Sequence, residues 1–237
     1  MKMHSFRSLA LGIALLAAAG AASAGQINFS SGMSGLNNSN LGNTYAFTGT
    51  GLTAYALVPT PGYPEFNTTN SACDNTPSNP CLFYKYTSGT PSETGLGLTG
   101  GTSGNNEIYY PNGIGLTTST GYISGLELGS VQSGESWQVL GCNANGCSTV
   151  LGAGLGGGSN DTVTLSGFAN DNFLGYVVTV PCADNTSCMS GSTDLNNNIL
   201  IMSVTTVPEP GTLALLAAGL AALGFAVTRR RKIRTDA

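Results

Sequence analysis

Glu107, Glu127 and Glu135 are the residues of this chain best suited to chemistry. Each lies on or beside a segment with strand character, and two carboxylates facing one cleft are the machinery of glycoside hydrolysis. No other catalytic device has its parts. Between Gly25 and Val207 there is no histidine and no arginine, and Lys85 is the one basic residue against ten carboxylates, a net −9. That composition excludes histidine acid–base catalysis, Ser-His-Asp triads and histidine-bearing zinc sites. It also excludes a nucleic-acid interface, which needs several Lys or Arg on the phosphates. Ten carboxylates become neighbours by chance, and the aromatics near these three reduce to Trp137, Tyr109 and Tyr110. A secreted carbohydrate-active enzyme is therefore the second reading, behind a non-catalytic one.

The same oxygen-rich side chains can hold a hard cation. Asn105-Asn106-Glu107, Asn160-Asp161, Asn170-Asp171 and Asp184-Asn185 are the candidates, but none has the ligand spacing of an EF-hand loop or a nonapeptide repeat. Asn and Asp in such clusters more often serve turns. No cofactor is expected, and a structural Ca²⁺ is the one left open. Trp137, between Ser136 and Gln138, can stack on a sugar ring, although a lone Trp in a strand belongs more often to a core. A net-acidic surface repels anionic polysaccharide unless a cation bridges the two.

Six cysteines fall as three close pairs: Cys73 with Cys81, Cys142 with Cys147, and Cys182 with Cys188. An even count in an exported chain reads as disulfides. Six cysteines allow 15 connectivities, and the local pairing is favoured because each pair brackets a turn-rich segment. Cys142 and Cys147 enclose an Asn-Gly step, the signature of a hairpin. Loops this short give each bridge about 2–3 kcal/mol by chain entropy.

The elements that must position these residues are strands. Between the ends of the chain no helical periodicity appears. Short β-branched and aromatic runs recur between Gly, Asn, Ser and Pro. They predict strands near 26–30, 44–48, 52–58, 82–87, 94–99, 107–110, 121–128, 135–141, 147–151, 161–166, 173–180 and 198–206. The fold class expected is all-β, an antiparallel sandwich or jelly roll in one domain, residues 25–207. The longest irregular stretch, 59–81, reads as a stapled connector.

Both ends look like addresses. Lys2 and Arg7 precede an apolar run of about 14 residues, too short to span a bilayer, that closes on Ala22-Ser23-Ala24. This is the signal-peptide pattern, with cleavage expected between Ala24 and Gly25 by signal peptidase. At the other end Pro208, Glu209 and Pro210 stop any helix from extending upstream. An apolar span through Leu213, Leu220 and Phe225 follows, predicted as a transmembrane helix. Arg229, Arg230, Arg231 and Lys232 should stay cytoplasmic, which leaves the domain outside.

The Val207-Pro208-Glu209-Pro210-Gly211 motif, the apolar span with Gly224-Phe225 and the basic tail resemble the PEP-CTERM sorting signal. The resemblance covers about 26 residues, and the sorting segment is bounded at 208–237. It implies a substrate of exosortase, a membrane-embedded cysteine transpeptidase of Gram-negative bacteria that make exopolysaccharide, with the cut near Pro208-Glu209-Pro210. A second, weaker resemblance lies inside the domain. Gly95-Leu96-Gly97-Leu98, Asn106-Glu107-Ile108 and the run Ser130 to Trp137 look like a block found in many PEP-CTERM proteins, which implies a shared scaffold and no activity. Together these readings describe a precursor anchored in the inner membrane. Its processed form acts at the cell surface or in the extracellular matrix, as a structural or adhesive component associated with exopolysaccharide or biofilm.

Overall fold

The computed structural model describes residues 25–207 except 32, 60–65, 69–71, 88–92, 102–105, 120, 133–134, 158–160, 169–172 and 182–197, together with residues 219–221 near the C-terminus. The signal-peptide residues Ala22 and Ala24, the sorting residues Pro208, Glu209 and Pro210, and the basic tail lie outside the described residues. So does the expected membrane helix with Leu213 and Phe225, apart from a helical 219–221 that includes Leu220. Among the described residues no helix is long and apolar enough to cross a membrane.

Gly25–Thr206 forms one compact unit. In chain order its strands are β1 (Gly25–Asn28), β2 (Ser39–Gly42), β3 (Thr44–Ala46), β4 (Leu52–Pro59), β5 (Phe66–Thr68), β6 (Leu82–Lys85), β7 (Gly95–Leu98) and β8 (Ile108–Tyr109). There follow β9 (Gly113–Thr118), β10 (Tyr122–Val131), β11 (Ser136–Asn143), β12 (Gly146–Leu155), β13 (Asp161–Ser166), β14 (Gly175–Thr179) and β15 (Asn198–Val207). They build two sheets. The first runs β13-β10-β15-β7-β6-β2, with β1 and β8 also on β15; the second runs β12-β11-β14-β9-β4-β3, with β5 also on β4. Besides β10, β15 is long enough to serve three further partners along its length: β8 at Asn198–Ile199, β7 at Ile201 and β1 at Ser203–Thr206.

Alternation along the strands sends one set of side chains into the space between the sheets. Leu82, Tyr84, Leu96, Leu98, Leu126, Leu128, Ile199 and Ile201 from the first sheet share one core with Leu52, Ala54, Ile114, Leu116, Val139 and Val178 from the second. This is the expected all-β sandwich. A smaller cluster, Leu57, Leu140 and Val177, forms separately, with Cys142 and Cys147 packed against it.

Of the three expected disulfides, two fall on described residues and pair locally. Cys73–Cys81 has Cα atoms 5.3 Å apart, and Cys142–Cys147 closes the tip of the β11–β12 hairpin at 3.9 Å. The third bridge was expected between Cys182 and Cys188. Both Cys182 and Cys188 lie outside the described residues, so the structure shows bridges for Cys73, Cys81, Cys142 and Cys147 alone. The turn at the hairpin tip is Ala144-Asn145, with Asn143 opposite Gly146, and the Asn145 N–H donates to Asn143 Oδ1 at 2.8 Å.

Three strands depart from the expectation. β2 is a short edge strand, and β5 interrupts the stretch read as irregular. β9 falls where Gly113 and Gly115 alternate, a pattern that reads as a turn. Those glycines are packing positions: a Cβ on Gly113 would meet Val178 O at 3.0 Å, and one on Gly115 would meet Leu57 Cδ1 at 3.0 Å. The alternation leaves room for neighbouring elements, and Ile114 and Leu116 fill the core between them.

Candidate functional site

The three glutamates singled out by sequence do not share a cleft. Glu127 projects from β10 onto the outer face of the first sheet, where Ser203 Oγ donates to its Oε2 at 3.1 Å. Glu107 and Glu135 are buried, 3% and 8% exposed, and lie near enough for each other's charge to matter at Glu107.

Glu107 stands at the entrance to β8. Asn106, before it, has φ 53°, and this left-handed turn lets the strand begin with Glu107 already directed inward. Gly97 permits the approach, since a Cβ there would lie 2.1 Å from Asn106 O. Across from it Lys85, at the end of β6, donates to Glu107 Oε1 and, at 2.6 Å, to Glu93 Oε2. Ser130 donates from Oγ to the same Glu107 Oε1 at 3.3 Å. Ser130 also has a left-handed φ of 59°, at the irregularity between Leu128 and Val131 where β10 breaks register with β13. A bulge that re-aims a side chain is a common device beside functional groups.

The domain's one cation is thus enclosed by acids. Burial pushes the Glu107 carboxyl up to about 7, against the hydrogen bond and charge of Lys85. Burial pulls the Lys85 ammonium down, but its bonds to Glu107 and Glu93 prevail and hold it above the ordinary lysine range. Burial also raises Glu135, opposed by two backbone donors, the N–H of Gln132 at 2.5 Å and that of Asn198 at 3.3 Å. Both oxygens of Glu135 are occupied in tying the β10–β11 loop to the start of β15.

The second locus is open. A shallow groove of about 320 Å³ crosses the outer face of the first sheet, lined by Gln26, Ser124, Glu127, Thr164, Ser203 and Thr205 among others. Its side chains come from β1, β15, β10 and β13, adjacent in the sheet. Gln26 Nε2 donates to Ser203 Oγ at 3.2 Å, and the Ser203 hydroxyl in turn donates to Glu127 Oε2, so a polar chain spans three strands. Of the groove's residues, Glu127 alone stands out in the sequence. The signal for the others was the alternation of Asp161-Thr162-Val163-Thr164-Leu165, whose polar members had to face outward.

Trp137 is not a platform. It is 8% exposed and packs against Gly152 and Gly154 of β12; its Nε1 is buried without a hydrogen-bond partner. Of the candidate cation ligands, Glu107 faces Lys85, and Asp161 Oδ2 accepts the Gly157 N–H at 2.9 Å. Among the described residues no group of three or more His, Cys, Asp or Glu is placed to hold a metal ion.

Beyond the sandwich, residues 206–232 match the family model of the PEP-CTERM protein-sorting motif. The chain carries a PEP-CTERM sorting signal. It is thus an exported protein directed to exosortase and processed at the membrane. The match begins where β15 ends, so the sorting signal follows the last strand with almost no linker. No curated protein and no solved structure matches the chain.

Proposed function

We propose that the exported domain is a non-catalytic structural or adhesive component of the cell surface or extracellular matrix, which contacts the hydroxyls of a neutral polysaccharide through the outer face of its first sheet. The groove from Gln26 through Ser203 to Glu127 carries this reading. It presents an amide, several hydroxyls and one carboxylate on a rigid sheet. Such groups both donate to and accept from sugar hydroxyls, and no cation lines the groove to favour an anionic chain. The sorting signal supports the exopolysaccharide context. Glu107 and Glu135, buried and engaged by Lys85 and by backbone donors, support a structural role over a catalytic one.

The test is an array of neutral and acidic bacterial polysaccharides, with and without Ca²⁺, run beside a hydrolysis assay on the same glycans. Binding to neutral chains without product release, weakened about tenfold or more by Ser203→Ala with Gln26→Ala, is the expected result. Product release abolished by Glu107→Gln or Glu135→Gln would instead establish the carbohydrate-active enzyme. Binding that requires Ca²⁺ would assign a bridging cation.

A further inference from the structure

Four observations converge on one carboxyl group. The ammonium of Lys85 and the hydroxyl of Ser130 both donate to Glu107 Oε1, and a second carboxylate, Glu93, lies 2.6 Å from the same ammonium. Two residues in left-handed backbone conformations, Asn106 and Ser130, hold the acceptor and the hydroxyl in place. The side chains of Lys85 and Glu107 are 11% and 3% exposed, so little bulk water competes, whereas Glu93 is 29% exposed. An ion pair alone does not need this arrangement. It supplies a nucleophile, an electrophile, a proton acceptor and an oxyanion donor.

We propose that Lys85 and Glu107 condense to an intramolecular amide within the folded domain, with Glu93 as proton acceptor and Ser130 as donor to the carbonyl oxygen. Glu93 takes a proton from the ammonium, and the freed Nζ attacks Cδ of Glu107 in its carboxylic-acid form. The oxyanion that develops on Oε1 is held by Ser130 Oγ–H. Glu93 returns its proton to the departing hydroxyl, which leaves as water, and then takes the remaining proton from the nitrogen. One N–C bond forms, one C–O bond breaks, one water departs, and the proton left on Glu93 passes to solvent through its exposed side. No oxidant, cofactor or second enzyme enters.

Two features favour the step. Glu107 is raised to about 7, so the acid form that the attack needs is well populated near neutrality. Fixing both reactants in the fold replaces a bimolecular encounter with effective molarities that reach about 10⁵ M or more. The raised Lys85 opposes it, since free amine is formed only transiently; the reaction is slow and happens once per molecule. The product fastens the end of β6 to the entrance of β8 with a bond that reductants do not cleave, unlike the neighbouring Cys73–Cys81.

Peptide mass mapping of the full chain, reduced, alkylated and cut with chymotrypsin, tests the proposal. The expected result is a branched species joining the Lys85 and Glu107 peptides, lighter than their sum by one water. Glu107→Ala and Lys85→Arg remove it, and Glu93→Gln lowers its yield about tenfold or more. Recovery of both peptides separately and in full from the wild type would overturn the cross-link, whatever the variants do. Equal yield in Glu93→Gln would overturn the role of Glu93.

Discussion

Lys85 donates to Glu107 Oε1 from a neighbouring segment, and neither side chain has appreciable access to water. As separate side chains they make the fold sensitive to pH. Glu107 titrates at about 7 in the fold against an ordinary 4.5, because burial outweighs the cation. For an acid raised in this way the folded state favours the protonated form. Its stabilising effect is complete below about pH 4.5 and is lost as the pH rises through about 7, on the order of 3 kcal/mol over the window. Lys85→Arg keeps a cation beside Glu107 but blocks amide formation. Its urea midpoint should therefore be clearly lower at pH 8 than at pH 5. The cross-linked wild type should keep only the smaller slope of the same sign contributed by Glu135. Equal slopes in the two proteins would show that Glu107 titrates freely in both.

Trp137 and Gly154 face each other directly in the β11–β12 pair. A Cβ on Gly154 would lie 2.8 Å from Trp137 Cζ2, and one on Gly152 3.2 Å from Cζ3. The indole covers two alternate glycines of an edge strand, an arrangement that pins strand register. Gly154→Ala should cost about 1–3 kcal/mol through overpacking and shift the emission of this single tryptophan. An unchanged melting temperature and spectrum would mean that the ring moves aside freely.

These two sites show what the sequence disclosed and what it hid. Strand positions could be read wherever β-branched residues alternated, as in β13. The spacing of Cys142 and Cys147 disclosed a hairpin because a bridge that short permits little else. Gly113 and Gly115 concealed β9, since a glycine needed for close packing looks the same as one needed for a turn. The separation of Glu127 from Glu107 and Glu135 could not be read at all. It depends on which face of β10 each neighbour occupies, and the irregularity at Ser130 resets that phase. Lys85 stood out as the lone cation, but its two carboxylate partners arrive from distant positions that only the β6–β7 and β8 placement brings together.

The hairpin bridge offers a third test. Cys142 and Cys147 pack against Leu57, Leu140 and Val177, so the disulfide both shortens a loop and covers apolar surface. Changing both cysteines to serine should cost about 2–3 kcal/mol from the loop entropy alone, and more once hydroxyls replace the packed sulfurs. Calorimetry on the Gly25–Thr206 unit, which has its own core, measures it. A loss well under 1 kcal/mol would show that the hairpin is held by its strand ladder and needs no bridge.

The sorting signal makes the last prediction, and it concerns charge. The whole chain has a formal net charge of −4 because basic residues at its ends offset an acidic domain. Between Gly25 and Val207 the balance is one lysine against ten carboxylates. The sorting signal implies a cut near Pro208-Glu209-Pro210; such a cut would remove Arg229, Arg230, Arg231 and Lys232, and the mature protein should then focus at a more acidic pH than its precursor. Replacing Pro208, Glu209 and Pro210 by alanine should leave the tail attached, hold the chain in the membrane fraction and abolish the acidic shift. The domain itself should still fold, since its last strand ends at Val207. Intact mass and isoelectric focusing of surface-extracted protein read both effects. A mature chain that still carries Leu213 to Arg231 in cells with active exosortase would refute processing at this signal.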